Sequence, residues 1–167
     1  MTFQQLQEKF GPQVESEWHQ HSNGGGWVRN GATVAASAYV GPDAVIWSGE
    51  ARVGGEARVG GNAYVGGEAR VGGEARVEGK AYVGGKAYVG GNAYVGGGKW
   101  DRAPLFISGT KHAATNSKPG HIQIGCKCES FAWWLEHGEA FARQNGYNDA
   151  EISEYREIVN LFVKIGK

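Results

Sequence analysis

The sequence is poor in cysteine and proline, with two and four residues, and carries no net charge. Cys126 and Cys128 are too few and too close together to make a disulfide scaffold. Lys+Arg and Asp+Glu number 17 each, which leaves no electrostatic footprint for a nucleic-acid polymer or an anionic membrane surface. No apolar run approaches the roughly 20 residues needed to span a bilayer, and the polar first residues do not read as a signal peptide. The expectation is a soluble, cytoplasmic protein. Glycine is what the chain has in excess, at 29 residues against roughly 7% on average. With so little proline and no Gly-X-Y period, that glycine does not specify collagen.

The glycines follow a different period, of six residues. Valine recurs at Val53, Val59, Val65, Val71, Val77, Val83, Val89 and Val95, and alanine at Ala51, Ala57, Ala63, Ala69, Ala75, Ala81, Ala87 and Ala93. Ala32, Ala38 and Ala44 extend one register backwards, as Val34, Val40 and Ile46 extend the other. One extra residue at Trp47-Ser48-Gly49 reads as a bulge or bent corner. A six-residue period is neither helical nor heptad, and Gly-Gly breaks simple strand alternation. It fits a β-solenoid with one short flat segment and one turn per unit.

The unit Val-Gly-x-x-Ala-x resembles the hexapeptide pattern of left-handed β-helices, over about residues 28–98. The resemblance implies three units per triangular coil, about four coils, an inward aliphatic filling the prism and a small alanine at each corner. It also implies a homotrimer and, in many members, acyl transfer from acyl-CoA held along the cleft between adjacent coils. The left-handed crossover is an implication of the family alone, since general handedness rules give right-handed connections. The lead-in Asn23-Gly24-Gly25-Gly26-Trp27-Val28 and the tail Pro104-Leu105-Phe106-Ile107-Ser108-Gly109-Thr110-Lys111-His112 are similar to those of phage and prophage hexapeptide-repeat proteins, often labelled acyltransferases. That likeness implies a phage-encoded protein in the host cytoplasm. The expected fold class is mainly β: a left-handed parallel β-helix with a small α+β C-terminal module of a β-hairpin and two helices. The expected divisions are an arm and lead-in at 1–27, the β-helix at 28–98 and the module at 99–167.

Three units per coil also sort the outward residues, those preceding each valine, into three faces. One stacks Thr33, Arg52, Arg70 and Tyr88, and the next Tyr39, Arg58, Arg76 and Tyr94. The third stacks Val45, Tyr64 and Tyr82, uncharged, and is expected to be buried against another subunit or the C-terminal helices. Stacked strands lie about 4.8 Å apart, so neighbouring arginines repel unless a partner intervenes. Glu50, Glu56, Glu68 and Glu74 could supply it, from the same chain or a neighbour.

Outside the repeat, Phe3, Leu6 and Phe10 predict one face of a short helix ending before Gly11-Pro12, and Trp27 is expected to cap the open end of the solenoid core. Leu105–Ile107 and His121–Ile124 read as strands joined by the polar loop 110–120. Ser130 caps a helix to about Gln144, and Asn148-x-x-Glu151 opens another from Asp149 to near Lys164. Phe131, Trp134, Leu135 and Phe141 can share one apolar face, as can Ile152, Tyr155, Val159 and Phe162.

Candidate chemistry concentrates where the period fails. The histidines are His19, His21, His112, His121 and His137, and the coils hold none. This favours binding without catalysis. The expected function is capture of a small anionic, nucleotide-like ligand in pockets between subunits, which for a phage protein would sequester a signal of host defence. The expected ligand-binding residues are Arg52, Arg58, Arg70, Arg76, Tyr88 and Tyr94 of the coils, Trp27 of the lead-in, and Trp100, Lys111, His112 and His121 of the tail. Arginine and lysine suit the anion, and aromatic rings suit a flat ligand. The alternative is an acyltransferase using acetyl-CoA as substrate, with His112 or His121 as general base. A third reading is a structural or assembly trimer. Cys126-Lys127-Cys128, beside His112 and His121, offers two thiolates on one side of a strand. A structural zinc site needs four ligands at more regular spacing, so no metal or resident cofactor is expected. Cys126 reads instead as a small buried residue.

Overall fold

In the computed structural model, which describes residues 1–100 and 103–166, the secondary structure follows the period of six. Each unit contributes a two-residue strand ending on its aliphatic residue: Thr33–Val34, Tyr39–Val40, Val45–Ile46, Arg52–Val53 and onward to Tyr94–Val95. Each strand pairs in parallel with the strand three units away, as Arg58–Val59 does with Arg76–Val77. The outcome is a parallel β-solenoid of about four coils. The contacts divide the chain into two units, Met1–Asn92 with Gly96–Ala103, and Ala93–Val95 with Pro104–Lys167.

Two features of each hexad build the first unit. The aliphatic column is buried: Val40, Ile46, Val59, Val65, Val77 and Val83 are all 0% exposed. Burying one such side chain is worth about 1.5–3 kcal/mol, so this column, rather than ladders of two residues, holds the coils together. From Gly55 to Gly91 a glycine two residues after each valine closes the turn. Gly61 has φ 58°, and a Cβ there would lie 2.9 Å from the Gly79 nitrogen of the next coil. Only glycine meets both the positive φ and the close approach.

The lead-in explains its glycines in the same way. Trp18–Gln20 pairs antiparallel with Trp27–Arg29, and the connection presses against the coil. A Cβ on Gly24 would lie 2.3 Å from the Val40 carbonyl oxygen, and one on Gly26 would lie 2.3 Å from that of Gly41.

The arm corrects two expectations. Helix α1, Phe3–Phe10, is capped by a Thr2–Gln5 capping box and buries Leu6 against Trp18, Trp27 and Val45. Phe10 packs tilted against Trp47 and edge to face against Tyr64, with ring centroids 4.4 and 4.9 Å apart. The third face is therefore covered, at Val45 and Tyr64, by the chain's own N-terminal helix. Nor does Trp27 cap the core. It stands opposite Val45 in the outward register, beneath α1, with Nε1 donating to the Met1 carbonyl at 2.9 Å. The inward register runs Val28, Ile46, Val65, Val83 and ends at Trp100, which is 1% exposed. Trp100 is the plug.

The second unit contains more sheet than the sequence suggests. Its antiparallel strands run in the order Phe106–Ser108, Ala113–Lys118, His121–Ile124 and Lys127–Ser130, so the expected hairpin is a four-stranded sheet. The segment read as a polar loop supplies a central strand. Its Thr115, Asn116 and Ser117 are buried, and the Asn116 amide and Ser117 hydroxyl have hydrogen-bond partners. Asn116 Oδ1 accepts from the Leu105 amide at 3.3 Å and its Nδ2 donates to the His121 carbonyl at 3.4 Å. Helices α2, Phe131–Gln144, and α3, Asp149–Ile165, carry the expected Ser130 cap and Asn148–Glu151 capping box. Trp134, Tyr155, Ile158, Val159 and Phe162 pack with Ala114, Ile122 and Ile124 of the sheet in one core.

Candidate ligand pocket in the C-terminal unit

Between this sheet and the two helices lies a cavity of about 620 Å³, within the roughly 300–1,000 Å³ of small-molecule sites. The sheet side contributes His112, Ile124, Gly125, Cys126 and Lys127, and α2 contributes Trp134, Leu135, Gly138, Glu139, Phe141 and Ala142. Ile152, Tyr155, Arg156, Val159 and Asn160 come from α3, and Asn145 and Tyr147 from the connection. The α3 residues recur at helical spacing on one face. On α2 the face is interrupted by two small residues one turn apart. Gly138 and Ala142 stand where larger side chains would fill the space. Leu135, expected in the apolar face, is 56% exposed at the rim.

The wall carrying His112 is fastened to α3. The Tyr155 hydroxyl accepts from the amides of Lys111 and His112, at 3.0 and 2.5 Å, and donates to the His112 carbonyl at 2.6 Å. Lys111 Nζ donates to the Gly146 carbonyl at 2.7 Å, lies 3.4 Å from Glu151 and sits 4.4 Å above the Tyr147 ring. Lys111, expected to hold ligand, thus holds its own loop. The Thr110 amide donates to Glu154 at 2.8 Å, and its hydroxyl donates to the same carboxylate. These bonds, the hydroxyl's first, hold the Glu154 carboxyl below the usual glutamate range.

The sign of the resulting pH effect is fixed. A depressed folded-state pKa means a contribution present above the unfolded value and lost as pH falls through the lower folded value. The Thr110 amide resonance is expected to titrate with a midpoint below the ordinary glutamate value of about 4.3. A midpoint at or above that value, by NMR, would show that the carboxylate does not hold the loop.

Charge at the pocket is mostly spoken for. Lys127 Nζ is 2.7 Å from Glu129 and 4.7 Å above the Trp133 ring, and Glu139 lies 3.0 Å from Arg143. Arg156 makes no ion pair among the described residues and is exposed. Burial first, then neighbouring Tyr155, Glu151 and Cys126, raises the Tyr147 phenol above its ordinary value, so it stays a neutral donor.

The structure scatters the other expected residues. His121 Nδ1 lies 2.9 Å from the Pro119 carbonyl, outside the cavity lining. Trp100 is buried with Nε1 donating to the Gly97 carbonyl at 2.8 Å, and Trp27 is buried under α1, so neither is open to a ligand in the single chain. Arg52 is in register with Arg70, Arg70 with Tyr88, and Arg58 with Arg76, as expected. All four arginines are exposed, as is Tyr88, while Tyr94 is half-buried. Arg58 lies 4.6 Å over the Tyr39 ring. Among the described residues, neither these arginines nor Glu50, Glu56, Glu68 and Glu74 enter an ion pair.

The paired-thiolate geometry also fails. Cys126 falls in the turn before the strand Lys127–Ser130 and is exposed, not buried, while Cys128 Sγ lies 2.9 Å from Ser117 Oγ. No three His, Cys, Asp or Glu side chains among the described residues converge as a metal site. No described helix is long and apolar enough to cross a membrane. The chain matches no protein-family model, and no curated protein or solved structure matches it significantly.

Proposed function

We propose that the protein is a non-catalytic binding protein of the left-handed hexapeptide-repeat type, a homotrimer whose solenoid serves as scaffold and whose C-terminal pocket captures a small anionic ligand. The observation that supports this most is the cavity itself: about 620 Å³, walled by Ile124, Trp134, Phe141, Ile152 and Val159, with the unpaired Arg156 at its edge. An apolar cleft with few convergent polar groups is the usual form of a small-ligand site. His112, which also lines it, keeps the acyltransferase reading as the runner-up.

Calorimetry tests the reading with acetyl-CoA, a cyclic dinucleotide and an ADP-ribose-type nucleotide as probes, the last two covering nucleotide sequestration, together with smaller organic acids. Gly138→Phe should fill the cavity and weaken binding at least tenfold. A Cβ at Gly138 meets only Trp134 Cε3, at 3.4 Å, and a helical glycine is itself unfavourable by about 0.8–1.0 kcal/mol relative to alanine. The variant should therefore stay folded. Binding unaffected by Gly138→Phe places the ligand elsewhere, and acetyl transfer lost in His112→Ala makes the protein an enzyme.

The trimer is the part of the reading supported by the unpaired arginines and glutamates, since a neighbouring copy can bring the two together. Light scattering is expected to give three times the chain mass of 17.8 kDa, dissociating more readily at high salt. A monomeric mass at low salt removes the assembly.

A further inference from the structure

Resting on the reading of this cavity as a binding site, we propose that it takes an amphipathic monoanion: a flat aryl or branched apolar body bearing a single carboxylate, with Arg156 as the carboxylate's partner. The walls decide the body. Ile124, Phe141, Ile152 and Val159 offer aliphatic and aromatic surface, and Trp134 closes the side toward α2. Leu135 extends that surface onto the rim, where 56% of it is exposed and a ligand body would cover it. Apolar area removed from water is worth roughly 25 cal/mol per Å², so a bicyclic ring gains most of its affinity here without polar contacts.

The charge count decides the head. Ligands rich in phosphate are held by several cations and by backbone amides at helix N-termini. This lining offers two permanent cations, and Lys127 is already 2.7 Å from Glu129. Arg156, the other, makes no ion pair among the described residues, and its planar guanidinium matches a carboxylate with two parallel N–H bonds. Glu139 also lines the cavity but is paired with Arg143 at 3.0 Å, so it offers the ligand no free charge. One available guanidinium and an apolar interior fit one negative charge.

Titration calorimetry of the full chain with 1-naphthaleneacetate, its neutral amide and adenosine monophosphate tests the class. The acid should bind with one site per chain and at least tenfold more tightly than the amide, with the nucleotide weaker than the acid. Arg156→Ala should remove the tenfold preference and leave the amide's affinity unchanged. Arg156 is exposed on α3, so the variant should fold, and a thermal melt verifies this. Equal affinity for acid and amide, or a preference that survives Arg156→Ala, overturns the carboxylate assignment while the cavity remains a binding site. A nucleotide that binds more tightly than the acid overturns the apolar class. Silence from all three probes, neutral amide included, removes the binding-site reading and this proposal with it.

Discussion

Replacing Trp134 by alanine is expected to cost the protein about 3–5 kcal/mol of stability and to abolish ligand capture in what remains folded. Trp134 is 6% exposed and meets Trp133 and Phe141 edge to face, with ring centroids 5.2 and 5.9 Å apart. Its Nε1 donates to the Ile122 carbonyl at 2.9 Å, tying α2 to a central strand of the sheet. Truncation therefore enlarges the cavity and removes this hydrogen bond, whose net contribution is about 0.5–1.5 kcal/mol. Trp134→Phe separates the two contributions, since it keeps most of the ring and loses only the hydrogen bond. Urea midpoints at constant m-value measure both. A loss below about 1 kcal/mol for Trp134→Ala would mean that the cavity wall collapses onto the gap, and the pocket would then be too plastic for the binding proposed.

The solenoid was legible because one rule is repeated many times. An aliphatic every six residues, a small alanine at each corner and glycine-rich turns leave a single register. The stack Thr33, Arg52, Arg70, Tyr88 follows from the three units per coil that the resemblance implies, and it matches the observed pairing. Helices α2 and α3 were legible for a local reason, their caps at Ser130 and Asn148. The strand Ala113–Lys118 was not. Ala-Ala-Thr-Asn-Ser-Lys shows no alternation, and its burial depends on hydrogen bonds from Asn116 to residues 11 and 5 positions away, which no window of sequence displays. The position of α1 was hidden for a similar reason. A helix of eight residues gains its stability from what it covers, and its cover became visible only when the third face was assembled.

The pocket lies between these extremes. The apolar faces of α2 and α3 could be read off the sequence, but the gap between them could not, because spacing says which residues face inward and not whether they fill the interior. Gly138 and Ala142 were the available signal. Two small residues a turn apart on a face that begins with Trp134 leave space, and the chain gives up helix propensity at Gly138 to keep it. The expectation of an arginine-lined site followed the charges on the solenoid. The cavity instead sits where charge is sparse and aromatic surface is dense, with His112 as its one residue from the expected set.

The second large effect separates core from site at a residue expected to bind ligand. Trp100→Ala is expected to lower stability by about 3–5 kcal/mol while the affinity of the folded fraction for its ligand stays within about twofold. Trp100 ends the inward column beyond Val83, is 1% exposed and has its only polar atom committed to the Gly97 carbonyl. A solenoid must close its ends, since an open coil leaves its last aliphatic residue in water. Tyr88→Ala is the matched control. Tyr88 is 57% exposed on an arginine face, and its loss should change stability by less than about 0.5 kcal/mol. If Trp100→Ala instead leaves the melting temperature unchanged and removes binding, the indole faces ligand and the plug lies elsewhere. If both variants are strongly destabilising, the outer faces are buried in the native assembly, and a partner copy would be covering Tyr88.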